Sequence, residues 1–186
     1  EGSKKLIYEV PKNKNKINQI SNLELKELLN LSKKVQKLVD RLTRRIENKL
    51  VIEQAAVIAA LKAESYSDSE FGKEIAKYLE IRLNTIEPKK WKVRFENSSL
   101  NIFYIHRGIE KLYIIDNEFL FTPETKSLND LRKSLMENFG LLKNGSAGIL
   151  KHGDNEYKIN GPVDLIERVI VIGKQGLQIN RYKGLG

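Results

Sequence analysis

The spacing of apolar residues divides the chain into a helical first part, a sheet-forming middle and a mixed end. Leu6-Ile7-Tyr8-Glu9-Val10 is a short apolar run closed by Pro11 and reads as a strand. Residues 12–22 are mostly Lys, Asn, Gln and Ser, with Ile17 and Ile20 as the apolar exceptions, and are expected to be a linker. From Leu25 onward, Leu28, Val35, Val39, Leu42 and Ile46 keep a 3,4 spacing, with Ser32 in the missing position. That period predicts one long helix over 23–49, about 40 Å from end to end. Ser21 or Asn22 is its expected N-cap, and Glu24 stands where a capping box needs an acid. An Ala-rich helical stretch follows over 50–62, then a turn over 64–69, then a third helix over about 69–84 that Ser67 or Asp68 could cap.

The period then falls to two. Trp91, Val93 and Phe95 alternate with Lys92, Arg94 and Glu96. Residues 100–106 and 110–115 repeat the strand pattern around Arg107-Gly108, which predicts a three-stranded antiparallel meander. Residues 119–126 give no clear period, 128–139 reads as a helix stopped by Gly140, and 148–151 and 156–159 straddle a hairpin turn at His152-Gly153-Asp154-Asn155. Pro162 opens a last helix over 162–173, ended by Gly173 or Gly176, and Leu177-Gln178-Ile179-Asn180 reads as a final strand. The expected class is α+β: long N-terminal helices, a possible helical hairpin, then an antiparallel sheet with flanking helices.

Charge sharpens this picture. The 186 residues carry a formal net charge of +9. Residues 1–63 hold 14 Lys or Arg against 7 Asp or Glu, whereas the rest is nearly balanced. On the predicted helix, Lys33, Lys34, Lys37, Arg41, Arg44 and Arg45 crowd the polar face. A concentrated cationic face attracts polyanions, whether nucleic acid or an acidic protein. There is no cysteine, which removes disulfides, thiolate nucleophiles and thiolate metal sites, and the two histidines, His106 and His152, lie far apart. No stretch of 18 apolar residues offers a membrane span. Signatures of phosphate loops, dinucleotide sites, zinc proteases and serine hydrolases are missing. The acid pairs Asp116/Glu118 and Asp154/Glu156 each sit in a predicted turn and read as turn caps rather than Mg2+ ligands. The aromatic residues of 91–113 could stack bases, but they stand among balanced charges and fit a sheet core better. Neither end reads as a natural terminus, so the chain is expected to be part of a longer one.

The last residues, Asn180-Arg181-Tyr182-Lys183-Gly184-Leu185-Gly186, combine closely spaced cations with glycines, a pattern able to grip phosphate oxygens. Preceded by Lys174-Gln175-Gly176-Leu177-Gln178-Ile179, they resemble the Gln-Arg-Tyr-Lys-Gly-Leu-Gly-Glu signature of bacterial type IIA DNA topoisomerases, the gyrase B subunits and their topoisomerase IV counterparts. Asn180 stands where that family has Gln, and the chain stops before the signature's Glu. Leu6 to Val10 resembles a strand of the same family's metal-binding Toprim domain, and Leu25 to Lys49, with Leu42-Thr43-Arg44-Arg45, resembles the start of the large insertion of many Gram-negative gyrase B subunits. The resemblance implies a division into residues 1–22 (Toprim strand and linker), 23–176 (insertion: 23–84 helical, 91–159 mainly sheet, 162–173 helix) and 177–186 (return strand and signature).

It also implies a role as an accessory segment of an ATP-dependent enzyme that negatively supercoils duplex DNA, with DNA, the gyrase A subunit and the rest of the B subunit as partners, in the cytoplasm. ATP and Mg2+ would serve the whole enzyme. The Glu-Gly-Asp and Asp-x-Asp-x-Asp motifs that hold Mg2+ in the family do not occur here, so none is expected to bind this segment, which should be inactive alone. The family's attacking tyrosine belongs to the A subunit, so Tyr182 is not that residue. Arg181, Tyr182 and Lys183 are expected near the DNA backbone. The residues alone also allow a stand-alone nucleic-acid-binding or protein-interaction module built on the basic helix.

Overall fold

A computed structural model describes residues 5–11, 16–140 and 148–185, with side chains described as far as residue 176. The fold is α+β, with two antiparallel sheets separated by helices. The first sheet has the order β2-β1-β6-β7, formed by β1 (Leu6–Pro11), β2 (Ile17–Ser21), β6 (Gly148–His152) and β7 (Asn155–Ile159). The second is the expected meander, β3 (Trp91–Glu96), β4 (Ser99–His106) and β5 (Ile109–Ile115). Its turns are two residues each. Asn97, Ser98, Arg107 and Gly108 all have positive φ, the conformation whose twist suits a tight hairpin. The β6–β7 hairpin is also as expected, with Gly153 at φ +62° in its turn.

The expected linker over 12–22 is corrected over its second half. Residues 17–21 form β2, with Ile20 buried opposite Tyr8. A five-residue strand with two apolar positions is stabilised by its pairing with β1, which local composition does not reveal. Residues 12–15 lie outside the described part. On the solvent side of this sheet a polar chain crosses all four strands. Gln19 donates to Glu9 at 2.7 Å, Lys151 bridges Glu9 at 3.1 Å, and Lys151 also reaches Glu156 at 3.8 Å. The Gln19 hydrogen bond, with help from Lys151, holds the Glu9 carboxyl below its usual range.

The predicted helix over 23–49 stops at Leu42, and the Ala-rich helical stretch expected over 50–62 is found as a shorter helix. α1 (Asn22–Leu42) is 21 residues, about 31 Å long, and α2 (Lys49–Val57) starts after a tight turn. The apolar phase runs through the break because Ile46 folds inward and is buried. The break is made by Asn48, whose side chain accepts from Val51 N at 3.1 Å and caps α2. Ser21 occupies the N-cap position of α1 but makes no side-chain cap bond, so the capping box does not form. A 3-10 turn (Ala63–Ser67) leads to α3 (Ser69–Ile86), capped by Asp68. α3 lies so close to the meander that a Cβ on Gly72 would sit 2.5 Å from the Phe95 ring. It also closes the free edge of β3: Glu80 accepts from Val93 N, and Asn84 bonds both Trp91 N and Trp91 O.

Two further expectations are corrected. The helix over 128–139 is replaced by α4 (Asn117–Leu120), α5 (Pro123–Asp130), α6 (Arg132–Leu135) and a wide π-type turn, Met136–Gly140. The cause is local: Asp116 caps α4, and Thr122 caps α5 with Pro123 just inside it, so starts are imposed before the apolar phase can set one. At the end of the chain, Gly173 and Gly176 do not stop the last helix. α7 runs from Pro162 to Leu185, and the strand expected over 177–180 is helical backbone. A helical glycine costs only about 1 kcal/mol, and Lys174, Gln175, Leu177, Gln178 and Arg181 are good helix formers. α7 packs along α1.

One buried polar cluster joins these layers. Arg82 of α3 donates through Nε and Nη2 to Gln54 Oε1, at 3.1 and 2.9 Å, and through Nη2 to the carbonyl of Phe139 at 2.9 Å. Tyr8 and Tyr78 donate to the flanking carbonyls of Asn138 and Gly140, at 2.9 and 2.7 Å. Three successive carbonyls of the π-type turn therefore accept from three side chains, Tyr8 of β1 and Tyr78 and Arg82 of α3. Gln54 in turn donates to Glu53 and to Asn160 O, and Glu53 accepts from Val163 N at 2.9 Å, fixing the start of α7. Burial pushes the Glu53 carboxyl up to about 7 against the pull of its hydrogen bonds.

Arg82→Met would leave Gln54 Oε1 and the Phe139 carbonyl buried without a donor. The expected loss is about 3 kcal/mol or more in urea unfolding, against about 0.5 kcal/mol or less for the same change at exposed Arg94. The raised Glu53 carboxyl sets a pH slope. The folded chain keeps that proton up to about 7, whereas the unfolded chain releases it near about 4.5. Glu53 therefore lowers stability as pH rises across that window and adds a constant cost above it. The urea stability of the native chain minus that of Glu53→Gln should fall over this range; a difference that rises, or stays flat, would contradict the assignment.

Candidate nucleic-acid interface

The site is built on α1. Its buried face, Leu25, Leu28, Val35, Val39 and Leu42, docks into the core and fixes the rotation of the helix. Lys33, Lys34, Lys37 and Arg41 then fall within an arc of about 100° on the opposite side, given 100° per residue, and all four are exposed. Arg44 and Arg45 are exposed as well, but on the turn that follows α1. Six exposed cations therefore lie on α1 and the turn that follows it. Among the described residues, none of the six enters an ion pair. Asp40, the one acid within this stretch, is paired with Lys49 at 3.4 Å.

Two details refine the sequence reading. Lys26 shares the arc through its spacing of seven and eleven from Lys33 and Lys37, and was legible by that spacing. Arg45 borders a cleft lined by Asn117, Glu118, Phe121 and Pro123, so it stands at the edge of the arc near an acid. The charge of α1 is also ordered along its axis, with Glu24 and Glu27 early and Lys33 to Arg41 late, the arrangement that the helix dipole favours. Dipole complementarity alone needs a cation in the last turn; it does not call for a continuous row of them.

Arg181, Tyr182 and Lys183 lie on the last turns of α7, and their side chains are outside the described part. The structure brings the first six residues together and says nothing of the contacts of these three. The other candidates of the sequence fall into structural roles. Trp91 is 3% exposed and packs on Tyr104 and Tyr113 inside the meander, so these rings form core rather than a base-stacking platform. Asp116 caps α4, Glu156 pairs with Lys151, and His106 and His152 end strands of different sheets. Among the described residues no group of His, Asp or Glu could hold a metal ion, and no helix is long and apolar enough to cross a membrane.

Two antiparallel sheets bridged by helices, with a row of exposed cations on α1, make this an α+β module with a positive helix face. The family model of the DNA gyrase B subunit insert domain matches residues 12–160. The chain therefore belongs to the DNA gyrase B subunit insert domain family. It is similar to the DNA gyrase B subunit of Rickettsia bellii, 28% identical over 173 residues, which cover 90% of this chain and 20% of that protein. The DNA gyrase B subunit of Rickettsia conorii is 28% identical over 166 residues, covering 87% of this chain and 20% of that protein. That of Caulobacter vibrioides is 30% identical over 82 residues, covering 44% and 10%. The chain spans about a fifth or less of the length of these relatives.

Proposed function

We propose that this gyrase B segment is a brace that holds duplex DNA on the cationic arc of α1 while the whole enzyme passes one duplex through another. The observation that carries the reading is the arc itself: four exposed cations on a helix whose rotation is fixed by its buried face, with two more on the turn that follows, all unpaired among the described residues. Exposed Lys and Arg at helical spacing neutralise phosphates without reading bases, which suits an enzyme acting on DNA of any sequence.

The whole enzyme would hydrolyse ATP and use Mg2+ at the cleavage site to introduce negative supercoils in the cytoplasm. This segment supplies neither cofactor site and is inactive alone. Its protein partners are the gyrase A subunit and the rest of the B subunit. Arg181, Tyr182 and Lys183 would add contacts to the DNA backbone. The segment boundaries at about 22 and 176 belong to the same reading.

The test is binding to a labelled duplex of about 40 base pairs at 50 and 200 mM salt. With four phosphates neutralised, the slope of about 0.9 per phosphate predicts a loss of about 100-fold in affinity between the two. Reversing Lys34, Lys37, Arg41 and Arg44 to Glu should abolish the binding, while circular dichroism stays unchanged because all four are exposed. An absence of binding at 50 mM salt, or binding that survives the reversal, would remove α1 as the DNA surface. Relaxed circular DNA incubated with the segment, ATP and Mg2+ should stay relaxed.

A further inference from the structure

The two edges of the meander differ in how their backbone groups are met. Ile105 N donates to Lys90 O at 2.8 Å, so the backbone of Ile105 faces the β3 side. In an antiparallel sheet this facing alternates from residue to residue. On β3 the alternation turns Trp91 and Val93 outward, and there Asn84 and Glu80 of α3 meet them. On the other side, the even-numbered residues of β4 bond the odd-numbered residues of β5, Ile109 to Ile115. The N–H and C=O groups of Glu110, Leu112 and Ile114 therefore point to the free edge of the sheet. Among the described residues no hydrogen bond reaches them. The strand that carries this row is apolar at its centre and start: Leu112 is 47% exposed and Ile109 is 64% exposed. An apolar edge with unpaired backbone groups is a template for another strand.

We infer that β5 pairs edge to edge, antiparallel, with β5 of a second copy of this chain. The backbone row selects a strand, and the order of residues along β5 selects itself. A symmetric pairing sets one residue opposite its own counterpart. Centred on Leu112, the pairing uses all seven residues of the strand. Leu112 then exchanges two hydrogen bonds with Leu112 of the other copy, and Glu110 and Ile114 exchange two at each end, so all outward groups of the three residues are satisfied. Centring on Lys111 or Tyr113 leaves one of the three without a strand partner. Centring on Lys111 or Glu110 also sets like charges directly opposite, which is destabilising. The Leu112 register sets Lys111 against Tyr113 and Ile109 against Ile115, with no like charges facing. Because α3 closes the β3 edge, the assembly stops at two copies and one continuous sheet. The inference does not depend on DNA binding by α1.

The experiment takes the whole 186-residue chain through sedimentation equilibrium at up to about 1 mM protein. A concentration-dependent dimer is expected. Leu112→Lys opposes two charges at the centre of the pairing, and Leu112→Pro removes an N–H that points away from β4; each should weaken the dimer about tenfold or more. The Leu112 side chain is exposed, so the lysine variant keeps the fold. Amide hydrogen exchange reads the edge itself. As the dimer forms, the amides of Glu110, Leu112 and Ile114 should slow about tenfold or more, whereas those of Lys111 and Tyr113, already bonded to β4, should not change. The register is read with cysteine, which the chain lacks. Under oxidising buffer, Glu110→Cys mixed with Ile114→Cys should give a disulfide-linked pair, since their Cα atoms lie about 5.5 Å apart across the two copies, and neither variant should link alone. The inference is overturned if the chain stays monomeric, if both Leu112 variants dimerise like the native chain, or if the unmixed cysteine variants link as readily as the mixture. It is equally overturned if the three amides exchange slowly at every concentration, since the chain itself would then cover the edge.

Discussion

The guanidinium of Arg82 is the constraint around which this molecule is arranged. It is buried between α2, α3 and the turn over 136–140, and its Nε and Nη2 donate to Gln54 and the Phe139 carbonyl. A buried arginine cannot shed its charge, so the surrounding elements must bring acceptors to it. That demand accounts for the wide turn Met136–Gly140, whose carbonyls face inward instead of along a helix axis. It also accounts for the approach of α7, which Glu53 fixes through Val163 N. The cluster thus ties the helical layer to the sheet that contains β1, where Tyr8 supplies a further donor.

The cationic arc depends on that order. α1 has no polar anchor of its own at its N-terminus; Ser21 makes no cap bond. Its rotation is set by the apolar residues it buries and by α7 alongside it. Charges at Lys33, Lys34, Lys37 and Arg41 form one surface because Leu28, Val35, Val39 and Leu42 form the other. Packing, not electrostatics, decides where the positive face points, and electrostatics decides what meets it.

Much of this was legible in the sequence, and the failures have definite causes. The meander was plain because Trp91, Val93 and Phe95 alternate strictly and Arg107-Gly108 marks a turn. Three of the other boundaries went wrong where a local cap outranked a period: α1 closed at Thr43 and Asn48 started a new helix while Ile46 kept the apolar phase, and Asp116 and Thr122 started short helices inside an unclear stretch. The last helix passed Gly173 and Gly176 because two modest penalties do not outweigh good helix formers around them. β2 was missed because its stability comes from β1. The common face of Lys33, Lys34, Lys37 and Arg41 was readable, since a helix converts spacing into direction, whereas Arg44 and Arg45 fall on the turn beyond it. That Arg82 sits in the apolar phase of α3 was itself a signal: a charged residue at an inward position implies a buried acceptor set, although not which elements supply it.

The pairing of β1 with β6 has a consequence for how such a module is carried. Leu6 faces His152 and Glu9 faces Ile149 across a single antiparallel ladder. The chain therefore leaves through β1 and comes back beside it after some 140 residues, at a distance of about 4.8 Å, one inter-strand spacing. Everything between those two strands, β2, the meander and six α-helices among the described residues, closes on itself across that one spacing. A change in length inside that loop leaves the β1–β6 ladder in place.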